Sequence, residues 1–264
     1  MLVLKKKKKI NNSLRNATLI SKNILVNGFK SLRKKNRINS GRNRQGKITV
    51  RNRGGGKKKL YTIIDNRRVL NKLLLTNIEY DPNRNAPIAL GISLETFTRN
   101  KYSYIILPKN INNDKLLLNN SKSNFSIGNF IKLKYIPSGT IIHNIEINPN
   151  SGGKLCRSSG SHSQLINRKS NKAIIKLNSS QIKSINTECR ATIGFMFNSQ
   201  TNILKLGKAG RNRWKGKKPC VRGVAKNPVD HPHGGRTKGG RPSVTPWGKL
   251  TKGKPTRKKK YICI

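Results

Sequence analysis

Positive charge is concentrated at the two ends of this chain. The sequence contains 58 Lys and Arg against 8 Asp and Glu, a formal net charge of +50 over 264 residues. The first 60 residues hold 20 basic side chains and no acid, and the last 60 hold 19 basic side chains and one acid, Asp230. Because segments with this charge repel themselves in water, they require a polyanionic partner. Nucleic acid is the polyanion that suits dispersed Lys and Arg side chains.

The apolar residues lie mainly in the middle of the chain. Hydrophobic residues make up only 33% of the sequence, so one dense core over the whole chain is not expected. The apolar runs are separated by turn sequences such as DPNRN, PSGT and NPNSGGK. This pattern predicts an all-β protein of two small barrels, with strands over residues 47–51, 60–65, 73–80, 87–94, 101–107, 129–135, 140–147, 163–167, 173–177, 181–185 and 191–196.

The two ends have a different composition from the middle. Residues 1–46 are predicted to form a basic N-terminal extension, and residues 207–264 an extended segment that takes a fixed path only against its partner. Residues 205–264 contain 10 of the 23 glycines and 6 of the 11 prolines, which disfavour helices and strands alike. The polar stretch 110–124 is interpreted as an inserted loop. No stretch approaches the ~20 apolar residues of a membrane span.

Three consecutive glycines, Gly54–Gly56, precede three lysines, Lys57–Lys59. Glycines allow a positive φ and a close approach of the backbone, and the lysines would reach phosphate. The alternative is a flexible hairpin loop. A nucleotide-binding P-loop is excluded because neither GKS nor GKT closes the turn and no helical pattern follows.

The four cysteines form no CxxC motif, so they are predicted to be free thiols rather than zinc ligands or disulfides. His143 and His162 lie in the barrel region and are expected to fill or cap it. His231 and His233 flank Pro232. A metal pair at these two histidines lacks a third ligand apart from Asp230. A hydrogen bond from an imidazole to an RNA phosphate or base is the favoured interpretation.

Several strings together carry a family resemblance. They are GRNRQGKITVRNRGGGKKKLY (41–61), IEYDPNRNAPIAL (78–90), IPSGTIIHNIEINPNSGGKLCRSSGSHSQL (136–165), ECRATIG (188–194), LGKAGRNRWKGKKPCVRGVAKNPVDHPHGG (206–235) and RTKGGRPSVTPWGKLTKGKPTRKKK (236–260). The chain closely resembles the universal second protein of the large ribosomal subunit, the ribosomal protein L-two family, in its mitochondrial or bacterial type. The resemblance runs from about residue 40 to residue 260.

The resemblance implies an OB-fold barrel over 47–125, an SH3-like barrel over 126–206, and a C-terminal segment over 207–264 that threads into large-subunit rRNA, with long extended basic tails at both ends. It also implies a place near the peptidyl transferase centre and a role in subunit joining. A further hypothesis then concerns His231, which could act as a general acid or base in peptide-bond formation. The family usually reads HPHGGGEGR, whereas here Gly235 is followed directly by Arg236, so three residues, one of them an acid, are missing.

The predicted rRNA-binding residues are basic side chains, glycines, two tryptophans and polar residues from both ends and from barrel loops. Guanidinium groups suit phosphate bidentately, and exposed indole rings stack on unpaired bases. Packing of Trp214 or Trp247 against a barrel or a proline is the alternative. The set is Arg42, Arg44, Arg51, Arg53, Gly54, Gly55, Gly56, Lys57, Lys58, Lys59, Arg84, Lys154, Arg157, Arg190, Lys208, Arg211, Arg213, Trp214, Lys217, Lys218, Arg222, Asn227, His231, His233, Arg236, Lys238, Arg241, Trp247 and Lys249.

The functional prediction is a structural, non-enzymatic constituent of the large ribosomal subunit that supports subunit association and the peptidyl transferase region in organellar translation. Expected partners are large-subunit rRNA, neighbouring ribosomal proteins and the small subunit, and no membrane. No cofactor is expected, apart from structural Mg²⁺ or K⁺ carried by rRNA. Heavy use of Asn, Ile and Lys, whose codons are AT-rich, points to the mitochondrial matrix, with a plastid as the alternative.

Two other functional classes share part of this profile. A nucleoid or chromatin-compacting protein would carry the same charge, but it would not need the Pro, Gly, Trp and His placements after residue 207. A nuclease or transferase is disfavoured, because only 8 carboxylates exist and no pair of them has metal-site spacing.

Overall fold

The computed structural model describes residues 4–14, 16–20, 28–95, 101–111, 113–119, 125–237 and 239–253. Its regular structure is almost entirely β. The chain forms two compact units, the first from the described residues up to 37 together with 58–209, and the second from 38–57 together with 210–253. Parts of the predicted N-terminal extension and C-terminal segment therefore share one unit.

A four-stranded antiparallel sheet forms the first barrel of the first unit. Its strands are β5 (Lys72–Glu79), β6 (Ile88–Ser93), β7 (Tyr102–Ile106) and β8 (Leu116–Leu118), in the order β7-β6-β5-β8. A bulge between Leu75 and Asn77 shifts the register of β5 against β6. The core is aliphatic and includes Leu73, Leu75 and Ile105, each at most 1% exposed.

A six-stranded antiparallel sheet forms the second barrel of the same unit. Its strands are β9 (Phe130–Lys132), β10 (Ile141–His143), β13 (Ser163–Arg168), β14 (Lys172–Leu177), β15 (Ile182–Asn186) and β16 (Arg190–Ile193), in the order β15-β14-β13-β10-β16-β9. Alternating residues such as Ile131, Leu165 and Ile175 point into one buried cluster. The two sheets fit an OB-fold followed by an SH3-like barrel, as the resemblance implies.

Three strand pairs and a few short helices complete the structure. β1 (Leu4–Lys6) pairs with β2 (Thr18–Ile20), β3 (Arg33–Lys35) with β4 (Leu60–Thr62), and β11 (Ile145–Glu146) with β12 (Gly153–Leu155). The helices are three 3-10 turns, Lys30–Leu32, Ser199–Ile203 and Gly223–Ala225, and one α-helix, α1 (Ala209–Trp214). Within the described residues, no helix has the length and apolar character to cross a membrane.

A buried polar group ties β3 to the first barrel. The Tyr104 hydroxyl donates to Glu79 Oε2 at 2.8 Å, and a guanidinium nitrogen of Arg33 lies 3.1 Å from the same oxygen. The backbone amide of Phe29 donates to the Tyr104 hydroxyl at 2.9 Å. Burial, only partly opposed by the Phe29 hydrogen bond, raises the pKa of Tyr104 to about 12. The hydroxyl therefore stays protonated and holds residues 29–33 against the sheet.

A buried arginine links the two barrels of the first unit. Arg68 is 2% exposed, and its Nη1 donates to the carbonyl of Gly128 at 2.7 Å. Its guanidinium carbon lies 5.6 Å from the centroid of the Phe130 ring. Burial lowers the pKa of Arg68 to about 10, opposed by the nearby Asp65 carboxylate. At neutral pH the Arg68 side chain is charged and connects the two barrels.

Two predictions about local structure are wrong. Residues 47–51 do not form a strand, because in this stretch only Ile48 makes a β-bridge, to Arg42, across a turn. The polar stretch 110–124, interpreted as a loop, contributes β8, which pairs with Lys72–Leu74 of β5. The helix α1 lies within the stretch 207–264, which the sequence predicts to be extended.

Candidate nucleic-acid interface

In the second unit, the glycine-rich turn pairs with the segment that follows α1. Gly54 N donates to Gly216 O at 3.1 Å, and Lys57 N donates to Trp214 O at 3.0 Å. Lys218 N donates to Asn52 O at 3.0 Å, and Arg53 forms a β-bridge with Lys217. These bonds place the basic side chains of two distant chain segments on one structural element.

Two of the three glycines make close approaches to protein. A Cβ on Gly56 would lie 2.7 Å from Gly216 N and 2.9 Å from Trp214 O, and one on Gly54 would lie 3.0 Å from Ser40 Oγ. A Cβ on Gly55 would meet nothing within 4 Å. Gly56 is therefore required for the pairing with residues 214–216, and Gly54 packs against Ser40, whereas Gly55 is the glycine that faces open space.

Both tryptophans in this unit are exposed. Trp247 is 66% exposed and Trp214 is 58% exposed. The guanidinium carbon of Arg51 lies 5.6 Å from the centroid of the Trp247 ring, within the range of a cation–π contact. Neither indole is buried against a core, and more than half of each tryptophan's surface is accessible.

This unit has few carboxylates to offset its positive charge. The ion pairs Arg33–Glu79, Arg84–Asp81, Lys132–Glu188 and Lys134–Glu188 all lie in the first unit. The sequence of the second unit contains one carboxylate, Asp230. The resulting positive field attracts polyanions.

The two histidines of the HPH motif lie side by side. Their ring centroids are 4.7 Å apart, and His231 is 8% exposed. The backbone amide of His233 donates to His231 Nδ1 at 3.0 Å, and that of Val244 donates to His233 Nε2 at 3.1 Å. Desolvation, then the charges of His233, Lys226 and Arg51, lower the pKa of His231. The shortened loop closes through Gly235 N, which donates to Lys226 O at 3.1 Å.

The structure brings most of the predicted site residues together in the second unit. These are Arg42, Arg44, Arg51, Arg53, Gly54, Gly55, Gly56, Lys57, Arg211, Arg213, Trp214, Lys217, Lys218, Arg222, Asn227, His231, His233, Arg236, Arg241, Trp247 and Lys249. Seven others lie in the first unit: Lys58, Lys59, Arg84, Lys154, Arg157, Arg190 and Lys208. Lys238 lies outside the described residues.

Arg84, one of the predicted residues, already has an anionic partner. Its Nε lies 2.6 Å from Oδ2 of Asp81, whose side chain is fully buried. Its guanidinium holds the turn after β5, so a phosphate would compete with Asp81 for it.

Lys226 was missed by the sequence-based prediction. Its position could have identified it, because this lysine lies shortly before the HPH motif in a basic segment with a single acid.

The remaining side chains of interest are structural. His143 is fully buried, and its Nδ1 lies 2.7 Å from Gly194 O. Cys156, Cys189 and Cys220 carry free thiols, and Cys263 lies outside the described residues. Among the described residues, no three His, Cys, Asp or Glu side chains are grouped as metal ligands would be.

Comparison with known proteins agrees with this architecture. Residues 29–118 match the family model of the Ribosomal Proteins L2, RNA binding N-terminal domain, and residues 126–248 that of the Ribosomal Proteins L2, C-terminal domain. The chain is 45% identical over 267 residues to the large ribosomal subunit protein uL2 of Orientia tsutsugamushi, covering 98% of this chain and 96% of the relative. It is 46% identical over 268 residues to uL2 of Rickettsia felis, with the same coverage, and 45% identical over 264 residues to uL2 of Ehrlichia canis, covering 95% and 94%. The chain therefore belongs to the ribosomal protein L2 family.

Proposed function

We propose that this chain is a structural constituent of the large ribosomal subunit that binds large-subunit rRNA, mainly through its second unit. Membership of a structural ribosomal protein family means that the chain is not an enzyme in itself. The observation that carries the proposal is the second unit itself, where both basic ends meet and a single carboxylate, Asp230, offsets their charge.

Binding by this surface combines charge with shape. Each Lys or Arg at a phosphate releases condensed counterions, which favours binding and makes it dependent on salt. The hydrogen bonds between residues 52–57 and 214–218 fix the backbone that carries these side chains. Gly55, Trp214 and Trp247 present an open backbone and two exposed rings to folded RNA, which proteins recognise largely by shape and stacking. Structural Mg²⁺ or K⁺ would arrive with the rRNA.

Within the ribosome, the chain supports subunit association and the peptidyl transferase region. In this proposal, the HPH segment is the part of the second unit that lies near the peptidyl transferase region. His231 contributes hydrogen bonding and packing there, since its ring is enclosed by Gly223 and His233 and already accepts a backbone hydrogen bond. Neighbouring ribosomal proteins and the small subunit are the other proposed partners.

The proposed location is the mitochondrial ribosome, with a plastid ribosome as the alternative. The support is the heavy use of Asn, Ile and Lys in the sequence. The relatives reported above are bacterial proteins. Fractionation of the source cells with an antibody against this chain decides between organellar and bacterial ribosomes.

The test of the function is sedimentation of lysate ribosomes, probed for this chain. We expect the chain to sediment with large subunits and to remain there at about 0.5 M salt, because fixed-path contacts supplement the salt-sensitive charge contribution. Complete release at that salt would contradict a fixed path. Binding to duplex DNA as tight as to folded rRNA, in direct competition, would instead favour a nucleoid-compacting protein.

A further inference from the structure

A cleft of about 270 Å³ lies in the second unit, and five basic side chains line it. They are Arg42, Arg51, Arg53, Lys218 and Lys226. None of the five is ion-paired with a carboxylate among the described residues. Five uncompensated cations around one concave space favour an anionic group inside it.

The cleft also has an aliphatic wall. Ile48 and Val50 line it, and they are 52% and 51% exposed. Neither side chain belongs to a buried core cluster. A site for phosphate alone would not require two exposed aliphatic residues in its lining. The lining therefore suits a ligand with an anionic part and an apolar part, which is the chemistry of a nucleotide.

Hydrogen bonds hold the walls in place. The backbone amides of Thr49 and Val50 both donate to Gly41 O, at 2.9 and 3.1 Å, and Arg42 Nη1 donates to Gly46 O at 2.9 Å. The backbone of Lys218, which also lines the cleft, is held by its amide, which donates to Asn52 O at 3.0 Å. A cleft whose lining is held by these hydrogen bonds is formed before its ligand arrives.

The surroundings of the cleft favour RNA over a free nucleotide. Arg51, which lines the cleft, also lies over the exposed ring of Trp247. A base next to the one in the cleft can therefore stack on Trp247 while the backbone continues along the cationic rim. A free nucleotide would use only the cleft and make no contact with Trp247.

We propose that this cleft holds one unpaired nucleotide of large-subunit rRNA, its phosphate among the five cations and its base against Ile48 and Val50. The proposal rests on the proposed function and specifies the class of RNA feature that the second unit recognises. A duplex cannot place a base in the cleft, whereas a bulged or looped nucleotide can.

The test uses the full chain and three RNA hairpins that share one stem. The stem is fully paired in the first, carries one unpaired adenosine in the second, and carries an abasic residue at that position in the third. With excess paired hairpin as competitor, we expect the unpaired adenosine to bind about tenfold more tightly than the paired stem. The abasic hairpin should bind with intermediate affinity.

Matched variants assign the effect to the cleft. Val50→Ser should abolish the preference for adenosine over the abasic residue, whereas Val229→Ser, at a 91% exposed site in the same unit, should preserve it. Lys226→Gln should weaken binding of the adenosine hairpin and of the abasic hairpin equally. Lys252 does not line the cleft, so Lys252→Gln should leave the preference for these two hairpins over the paired stem unchanged.

Two outcomes overturn the proposal. One is equal affinity of the wild-type chain for the three hairpins; the other is displacement of the adenosine hairpin by a Glu-rich peptide in a manner sensitive to Val50→Ser, which would indicate a protein segment as the occupant. Sedimentation keeps the two proposals apart. A chain that sediments with large subunits but shows no hairpin preference removes only the cleft proposal, whereas failure to sediment removes the proposed function.

Discussion

The backbone amide of Gly54 donates to the carbonyl oxygen of Gly216 at 3.1 Å, so a hydrogen bond joins the two chain segments that form the second unit. Gly56, two residues on, has a φ of +111° and no room for a side chain. Gly55 has a φ of +61° but open space around it.

Gly56→Ala should therefore destabilise the second unit more than Gly55→Ala. We expect a loss of roughly 1–3 kcal/mol from strain in Gly56→Ala, plus the clash with Gly216, against about 1 kcal/mol for Gly55→Ala. Thermal unfolding measures the loss, and faster amide hydrogen exchange at Gly54, Lys57 and Lys218 locates it. Equal losses in the two variants would contradict the pairing.

Tyr104 and Glu79 should show energetic coupling. Tyr104→Phe removes the donor to a 1% exposed carboxylate and the acceptor for Phe29 N, so we expect a loss of about 1–3 kcal/mol. In urea unfolding, the double variant with Glu79→Gln should lose less stability than the sum of the two single losses, by at least about 0.5 kcal/mol. Tyr135→Phe, in the other barrel, is the matched control and should be additive with Glu79→Gln.

His143 should make the chain sensitive to acid. Burial lowers its pKa from 6.5 to about 3, so between these values the unfolded chain binds a proton that the folded chain does not. The contribution of His143 to the free energy of unfolding is constant above pH 6.5. It is lost as the pH falls toward 3, by at most about 1.4 kcal/mol per pH unit. Urea midpoints from pH 7.5 to 4.5 should fall more steeply for the wild type than for His143→Gln. Parallel profiles would refute this assignment.

A cation of the second unit should contribute to the salt dependence of rRNA binding, and an internally paired cation should not. Arg53→Gln should lower the slope of log K against log salt by about 0.7–0.9, the value for one lost phosphate contact. Lys134→Gln removes the same charge, but Lys134 Nζ already lies 2.8 Å from Glu188 Oε1, so the slope should not change. Filter binding to large-subunit rRNA over a salt series compares the two variants. Equal slopes would place Arg53 away from phosphate.

The strands that could be predicted from sequence are those with local apolar patterns. Residues 73–80, 87–94 and 101–107 were predicted and correspond to β5, β6 and β7, because their side chains pack into one core. β8 could not be predicted, since Leu116–Leu118 is short and is held by pairing with β5 rather than by its own pattern. Residues 47–51 alternate as a strand does but lack a partner strand, so only Ile48 is bridged.

The candidate site was predictable in composition but not in arrangement. Basic residues and glycines identified both ends as RNA-binding, yet no local pattern places Asn52 beside Lys218 or Lys226 beside Arg51. Such proximity depends on contacts between residues far apart in sequence. Arg68 could not be predicted for the same reason, because a buried charge has no periodic signature. His143, which was expected to fill or cap a barrel, is fully buried.

The hydrogen bond between Gly54 and Gly216 also has a consequence for folding during synthesis. Gly216 is made about 160 residues after Gly54, which at ~5–20 residues per second is a delay of roughly 8–32 s. Throughout that interval the acid-free N-terminal segment lacks the segment that pairs with it. The second unit is therefore the last part of the molecule to mature, and each nascent chain exposes its most cationic surface to cellular RNA before that surface is complete.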